Sequence, residues 1–283
     1  MKPRDGYPEG VTCWIDTDLP DPEAATEFYG GLFGWEFEDQ MPAEQPGHYF
    51  AARLRGLDVA GIGSRPDGAT WPPAWNTYVW VESADEAAAA VKGAGGAVLM
   101  DPFDVLEAGR MAVVADPQGA AFNVWEARKH RGAQLVNEPG SWNFSGLTTS
   151  DPEAAIVFYG AVFGWEADWA EDEWSFFRVP GYGDYLERSN PGLRRQLAEN
   201  DAPPGFEDAT AWLMSMAGQP EGTPPNWGVT FAVDDADATA ARAAELGGRV
   251  VVEPFDSPPV RMAVLSDPQG AVFTVGKYDP DME

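Results

Sequence analysis

Residues 21–36 read DPEAATEFYGGLFGWE, and residues 151–166 read DPEAAIVFYGAVFGWE. A second match closes each half of the chain. Arg110-Met111-Ala112-Val113 runs into Asp116-Pro117-Gln118-Gly119-Ala120, and Arg261-Met262-Ala263-Val264 runs into Asp267-Pro268-Gln269-Gly270-Ala271. A repeat this long makes the chain two copies of one domain. The matched Asp-Pro pairs lie 130 residues apart at the starts of the copies and 151 apart at their ends. About 21 extra residues therefore fall inside copy two, near 181–208.

Each repeat begins with the chemistry of a helix N-terminus. Asp21 and Asp151 suit the N-cap, Pro22 and Pro152 the first helical position, and Glu23 and Glu153 the positive end of the dipole. Ala25, Phe28, Tyr29, Leu32 and Phe33 recur at helical spacing, as do Ala155, Phe158, Tyr159, Val162 and Phe163, and Gly34 and Gly164 stop the two helices. The runs 11–18 and 142–149 before them read as strands. In copy one, strands are predicted at 35–41, 49–55 and 57–64. After a proline-rich connection at 66–73 the pattern restarts with a strand at 76–82 and an alanine-rich helix at 84–94. Strands at 97–103, 110–115 and 121–125 follow. Each copy is thus two βαβββ modules, and the α+β chain holds four. The expected boundaries are a first domain at 7–130, a linker at 131–140 and a second domain at 141–280, with an inserted flap at about 181–208. Connections this long are more often functional lids than plain loops.

Bulk properties exclude several function classes. The 283 residues suit two ordinary domains. With 18 Lys and Arg against 46 Asp and Glu, the net charge is −28, so nucleic acid and anionic membrane surfaces are not expected partners. Cys13 is the only cysteine, which excludes an intrachain disulfide. The first residues lack the apolar core of a signal peptide, and no run is long and apolar enough to span a membrane. A cytoplasmic protein is expected.

The order of strand, Asp-Pro helix with Phe28-Tyr29 or Phe158-Tyr159, Phe-Gly-Trp, and a late Asp-Pro-x-Gly before the last strand resembles the vicinal oxygen chelate superfamily. That superfamily includes glyoxalases, bleomycin-resistance proteins and extradiol dioxygenases. The resemblance covers residues 11–127 and 142–278. The FYGxxFGWE form looks most like its two-domain actinobacterial branch, glyoxalase-like or hydroxylase-like. The resemblance implies two tandem glyoxalase-like domains, each an open curled mixed sheet with flanking helices, and a ligand held in the cup of the sheet.

It also implies a divalent metal held by His and Glu, a Lewis acid for two adjacent substrate oxygens. The positions that carry those ligands in the superfamily correspond here to Trp14 and Phe144, Trp75 and Trp227, and Asn123 and Thr274. None is a conventional ligand. His48 and His130 fall outside these positions and read as solvated loop residues. Asp16 and Asp18 alternate onto the face of Trp14, but a hard-cation site needs a third carboxylate. No metal and no other cofactor are expected.

Aromatic residues stand where ligands were expected. Trp14, Trp75, Phe144 and Trp227 are joined in copy two by Trp169, Trp174, Phe176 and Trp212. Such a lining suits a flat apolar or aromatic ligand, or else fills the cup as ordinary core. With Asn123 and Thr274, Trp14, Trp75, Phe144, Trp174, Phe176, Trp212 and Trp227 form the expected ligand-binding set. Asp16, Arg178 and Glu253 are the catalytic candidates. Arg53, Arg110, Arg178 and Arg261 either clamp an anionic group or pair with local acids.

The first functional reading is a metal-independent protein that binds a hydrophobic or aromatic metabolite, working as a monomer or homodimer. The alternative is a metal-free enzyme of secondary metabolism acting as an isomerase, cyclase or hydroxylase-like catalyst. There a cup carboxylate would move protons and an arginine would hold an oxyanion. The third reading, a metal-dependent glyoxalase or dioxygenase, is disfavoured by the residues at the ligand positions. Copy two, with the insertion and more aromatics, is the half expected to work.

Overall fold

The computed structural model describes residues 3–66, 68–169, 174–219 and 222–282. Module one comprises β1 (Thr12–Leu19), α1 (Pro22–Phe33), β2 (Glu36–Asp39), β3 (Tyr49–Leu54) and β4 (Leu57–Ser64). Module two comprises β5 (Trp75–Trp80), α2 (Ala84–Gly93), β6 (Ala97–Val105), β7 (Gly109–Ala115) and β8 (Ala121–Ala127). Module three has β9 (Trp142–Thr149), α3 (Pro152–Phe163), β10 (Trp174–Arg178) and β11 (Ala209–Ser215). In place of a strand matching β2, the described residues show one bridge between Glu166 and Arg178. Helices α4 (Tyr182–Ser189) and α5 (Leu193–Glu199) and a 3₁₀ turn (Phe206–Asp208) fill the insertion between β10 and β11. Module four closes the chain with β12 (Asn226–Ala232), α6 (Ala236–Glu245), β13 (Arg249–Ser257), β14 (Val260–Ser266) and β15 (Val272–Tyr278).

The repeated helix signals act as read. Asp21 accepts a hydrogen bond from Ala24 N at 2.9 Å, and Asp151 accepts one from Ala154 N at 3.0 Å. Gly34 (φ 72°) and Gly164 (φ 68°) end these helices in the left-handed region that glycine reaches without strain. In each module the first strand pairs in parallel with the last. Asp16 sits opposite Gly61, Tyr78 opposite Asn123, Gly146 opposite Trp212, and Thr230 opposite Thr274. The strands form two open mixed sheets. One has the order β2-β3-β4-β1-β5-β8-β7-β6, the other β10-β11-β9-β12-β15-β14-β13.

By packing, the chain divides into two compact units, and each draws on both copies. One takes in residues 14–76, 133–144 and 228–283, the other 1–13, 77–132 and 145–227. We call them the Tyr29 unit and the Tyr159 unit after their central residues.

In the Tyr29 unit, the buried Tyr29 ring stacks 5.6 Å from Trp35 and lies 5.8 Å from Phe273. Its hydroxyl donates to Asp267 Oδ2 at 3.1 Å and accepts from Trp75 Nε1 at 3.1 Å. The other Asp267 oxygen accepts from the backbone N–H groups of Gln269 and Ala271, each at 2.9 Å. Gln269 then takes Asp21 N at 2.8 Å and gives to Asp21 O at 2.7 Å. The helix start of copy one is thereby bolted to the Asp-Pro-Gln-Gly turn of copy two. The Tyr159 unit repeats the device. Tyr159 donates to Asp116 at 3.4 Å, Trp227 Nε1 donates to Tyr159 at 2.9 Å, and Gln118 pairs with the backbone of Asp151 at 3.0 and 2.9 Å. Burial pushes both tyrosine hydroxyls and both aspartate carboxyls up, which keeps the proton on each tyrosine. Because every polar group in these networks is partnered, they fix one arrangement of a buried aromatic core.

The insertion is tied to the N-terminal segment within the Tyr159 unit. The Arg4 guanidinium lies over the rings of Tyr7 and Tyr182, at 5.0 and 5.9 Å, and hydrogen-bonds the Tyr182 hydroxyl. Tyr185 donates to Gly6 O at 2.9 Å.

Candidate functional site

Two furnished faces emerge, one in each unit. On β1 in the Tyr29 unit, Trp14, Asp16 and Asp18 share a face, as their alternation predicts. Asp16 is 3% exposed. Its carboxylate accepts from Tyr49 Oη at 3.1 Å and from Asn76 Nδ2 at 2.9 Å, while Trp14 Nε1 donates to Tyr49 Oη at 3.0 Å. Two glycines of β4 make the cluster possible. A Cβ on Gly61 would stand 2.6 Å from Tyr49 Cζ, and one on Gly63 would run into the Asp18 carboxylate. Burial, and then the negative field of Asp16, push Asp18 up to about 7. Burial likewise raises the Tyr49 phenol. The face therefore carries a carboxyl able to hold or release a proton near neutrality, beside a second carboxylate fixed by a phenol and an amide.

The second face is an aromatic wall in the Tyr159 unit. Trp174 on β10 is 54% exposed and meets Trp212 of β11 edge-on, ring centres 5.6 Å apart. Phe206, supplied by the insertion, lies 5.7 Å from Trp212 and 5.4 Å from Phe176. Glycine again gives the room. A Cβ on Gly146 of β9 would lie 2.8 Å from Met214 Cε and 3.3 Å from Trp212 Cβ. Arg178 borders the wall, 5.9 Å from the Phe176 ring, and pairs with Asp168 at 2.8 Å.

Several expected site residues lie elsewhere. Trp75 and Trp227 turn away from the cup faces, because their indoles donate to Tyr29 and Tyr159 in the aromatic cores. The residue of β5 that faces Asp16 is its neighbour Asn76. A one-residue change of register moves a strand side chain to the opposite face. Glu253 is exposed on β13, whereas Asp16 is buried on β1 and Arg178 half-buried on β10. Asn123 is buried on β8, Thr274 is half-buried on β15 and Phe144 half-buried on β9. Asn76, Gly61, Gly63, Phe206 and Met214 had no place in the sequence reading. Only the glycine alternation of β4 carried a readable signal for any of them.

The strand arginines pair with local acids. Arg110 binds Asp85 and Asp104, and Arg261 binds Asp237 and Asp256 in the same way, so this part of the repeat is architectural. His48 bonds Asp39 at 2.7 Å and is raised by it. His130 is not simply solvated, since its ring packs 5.7 Å from Trp125. Among the described residues, no group of three His, Cys, Asp or Glu side chains is placed to hold a metal. Asp16 already serves Tyr49 and Asn76, and indole, phenyl, amide and hydroxyl groups stand at the six expected ligand positions. This donor set does not fit the superfamily's metal.

Family models match both halves of the chain. Residues 19–124 match the glyoxalase/bleomycin resistance protein/dioxygenase superfamily, and residues 145–276 match a glyoxalase-like domain. The chain belongs to this superfamily. CFP32 of Mycobacterium tuberculosis, which carries a provisional glyoxylase name, is 41% identical over 283 residues, covering 99% of each chain. The anthracycline biosynthesis protein DnrV of Streptomyces peucetius is 35% identical, covering 95% of this chain and 94% of its own. A Mn(II)-bound glyoxalase from Novosphingobium aromaticivorans shares the fold at a TM-score of 0.59 and 15% identity, covering 97% of this chain and 85% of that one.

Proposed function

We propose that the chain is a metal-independent binding protein for a flat aromatic small molecule, which it holds against the wall of Trp174, Phe176, Phe206 and Trp212. One observation carries this reading. Four aromatic rings cluster beside the insertion with Trp174 more than half exposed, a surface that a soluble fold has no structural need to present. The name of the DnrV relative points to the same chemical class, since anthracyclines are built on flat fused rings.

The test is a tryptophan-fluorescence titration with quinizarin, a dihydroxyanthraquinone, before and after EDTA treatment. Saturable quenching that survives EDTA is expected. Trp212→Ala should weaken it about thirtyfold, as expected for loss of roughly 2 kcal/mol of ring contact. Absence of saturable quenching by quinizarin counts against the reading.

The carboxylate face supports a second reading, a metal-free enzyme that moves a proton within the bound metabolite. Asp18, raised to about 7 beside the Tyr49–Asp16 pair, is the observation that favours it. Turnover that persists in EDTA and is lost in Asp18→Asn would establish it. Recovery of every bound compound unchanged would leave the binding reading alone.

A further inference from the structure

Helices α4 and α5 lack what holds the other helices in place. Asp21, Ser83, Asp151 and Asp235 cap α1, α2, α3 and α6 with side-chain oxygens, whereas α4 and α5 start at Gly181 and Gly192 with no side-chain cap. Of their residues only Tyr182 and Gly183 are buried. Helices of eight and seven residues that bury so little do not hold their form in water alone. The insertion therefore keeps its place through a few specific contacts.

Those contacts run from a root to a tip, all within the Tyr159 unit. At the root, the Arg4 guanidinium bonds the Tyr182 hydroxyl and lies over the Tyr7 and Tyr182 rings. Tyr185 stacks 6.2 Å from Tyr182 and donates to Gly6 O. Between root and tip, Asp208 accepts from Gly183 N at 2.6 Å and Gly181 N at 3.3 Å, and Arg194 bridges Asp184 at 2.8 Å and Glu207 at 3.6 Å. A Cβ on Gly183 would stand 2.6 Å from Glu207 Cγ, so α4 and the 3₁₀ turn are packed as one body. At the tip, Phe206 of that same turn enters the aromatic wall.

The segment that carries Arg4 is fixed from behind. Arg131 donates to Asp5 O at 3.0 Å and lies 5.5 Å over the Trp80 ring, and the buried Tyr7 ring packs 6.3 Å from Trp80. Gly6, at φ 119°, passes so close to Arg131 that a Cβ would lie 2.8 Å from Nη2. The root is thus rigid, and Tyr182 and Tyr185 join the insertion to it.

We propose that Arg4 latches the insertion and so sets the position of Phe206. With the latch made, Phe206 closes one side of the aromatic wall. With it broken, α4, α5 and the 3₁₀ turn swing together and open that side. A cation over two rings and one hydrogen bond are each modest contacts, which suits a latch that must break and remake. Arg4 is then a positioning residue that does not touch the ligand and governs how long a flat aromatic molecule stays bound. The effect on the ligand rests on the binding reading above; the latch does not.

Hydrogen exchange tests the latch without any ligand. In Arg4→Ala the amides of Tyr185, Asn190 and Gln196, each bonded within the insertion, should exchange about tenfold faster than in the wild type, while those of β8 and β11 keep their rates. Arg4→Lys, which keeps a cation over the rings, should recover most of the protection. A merely structural Arg4 would speed β8 and β11 to the same degree. Stopped-flow release of quinizarin reads the effect on the wall, and Arg4→Ala should raise the dissociation rate about tenfold. Unchanged exchange in the insertion, equal acceleration throughout the unit, or an unchanged release rate overturns the proposal. If quinizarin does not bind the wild type, the binding reading falls and the exchange rates still decide the latch.

Discussion

At matching positions the two copies exchange bulk. Copy one places Asp16 and Asp18 on its first strand and opposes them with Gly61 and Gly63. Copy two has Gly146 and Thr148 on the first strand and opposes them with Trp212 and Met214. The third strand follows suit, with Tyr49 opposite Gly63 in one copy and Trp174 opposite Met214 in the other. One backbone pairing thus supports a polar face or an aromatic one, depending on which of two neighbouring strands carries the glycines. The bulk moves to the other strand and the chemistry of the face is reversed. Duplication has freed the copies to diverge exactly where the fold makes no demand, while the Tyr-Asp-Gln bolts stay the same in both.

The sharpest way to break this symmetry is Gly61→Val. Its side chain would drive the Tyr49 ring off Asp16, and a cost of roughly 3 kcal/mol is expected from overpacking, read as a lowered midpoint in urea. Trp212→Ala acts on the other face and should leave stability nearly intact in comparison, since Trp212 is only half-buried; its loss appears in ligand titration. Gly146→Ala is expected to cost about 1 kcal/mol, because the clashing Met214 Cε is the end of a flexible side chain. If Gly146→Ala proves as costly as Gly61→Val, the two faces are not equivalent in construction.

Asp18 provides the pH test. Its folded-state pKa is raised, so its favourable contribution is complete below the ordinary carboxylate range and is lost as pH rises through about 7. Asp18→Asn should therefore gain melting temperature over wild type progressively from pH 4 to pH 8, with no further gain above. A constant difference across that window would refute the shift. Tyr49→Phe is the mildest change. It removes one donor to Asp16 and should cost about 1 kcal/mol.

Much of the fold could be read from the repeat because its signals are local. Caps, stop glycines and helical spacing act within a few residues, and Asp21, Gly34, Asp151 and Gly164 behave as their chemistry dictates. The site was harder to read, since it depends on register. Trp75 and Asn76 are neighbours in sequence and sit on opposite faces of β5, and only the bond from Trp75 to Tyr29 reveals which one turns inward. The partner of each Asp-Pro turn was hidden for another reason. Asp21 and Gln269 are 248 positions apart, and no local pattern announces so distant a pairing.

That distance has a consequence for biogenesis. As the chain leaves the ribosome, α1 emerges early, but Asp267, Phe273 and Phe231 arrive only with the last module. Until then Tyr29, Phe33 and Trp35 have no completed core to enter, and their apolar surface stays open to chaperones or to a neighbouring nascent chain. The Tyr159 unit ends at Trp227, at the very start of that last module, and can close first. Helix α1 is therefore among the first parts made and among the last parts folded.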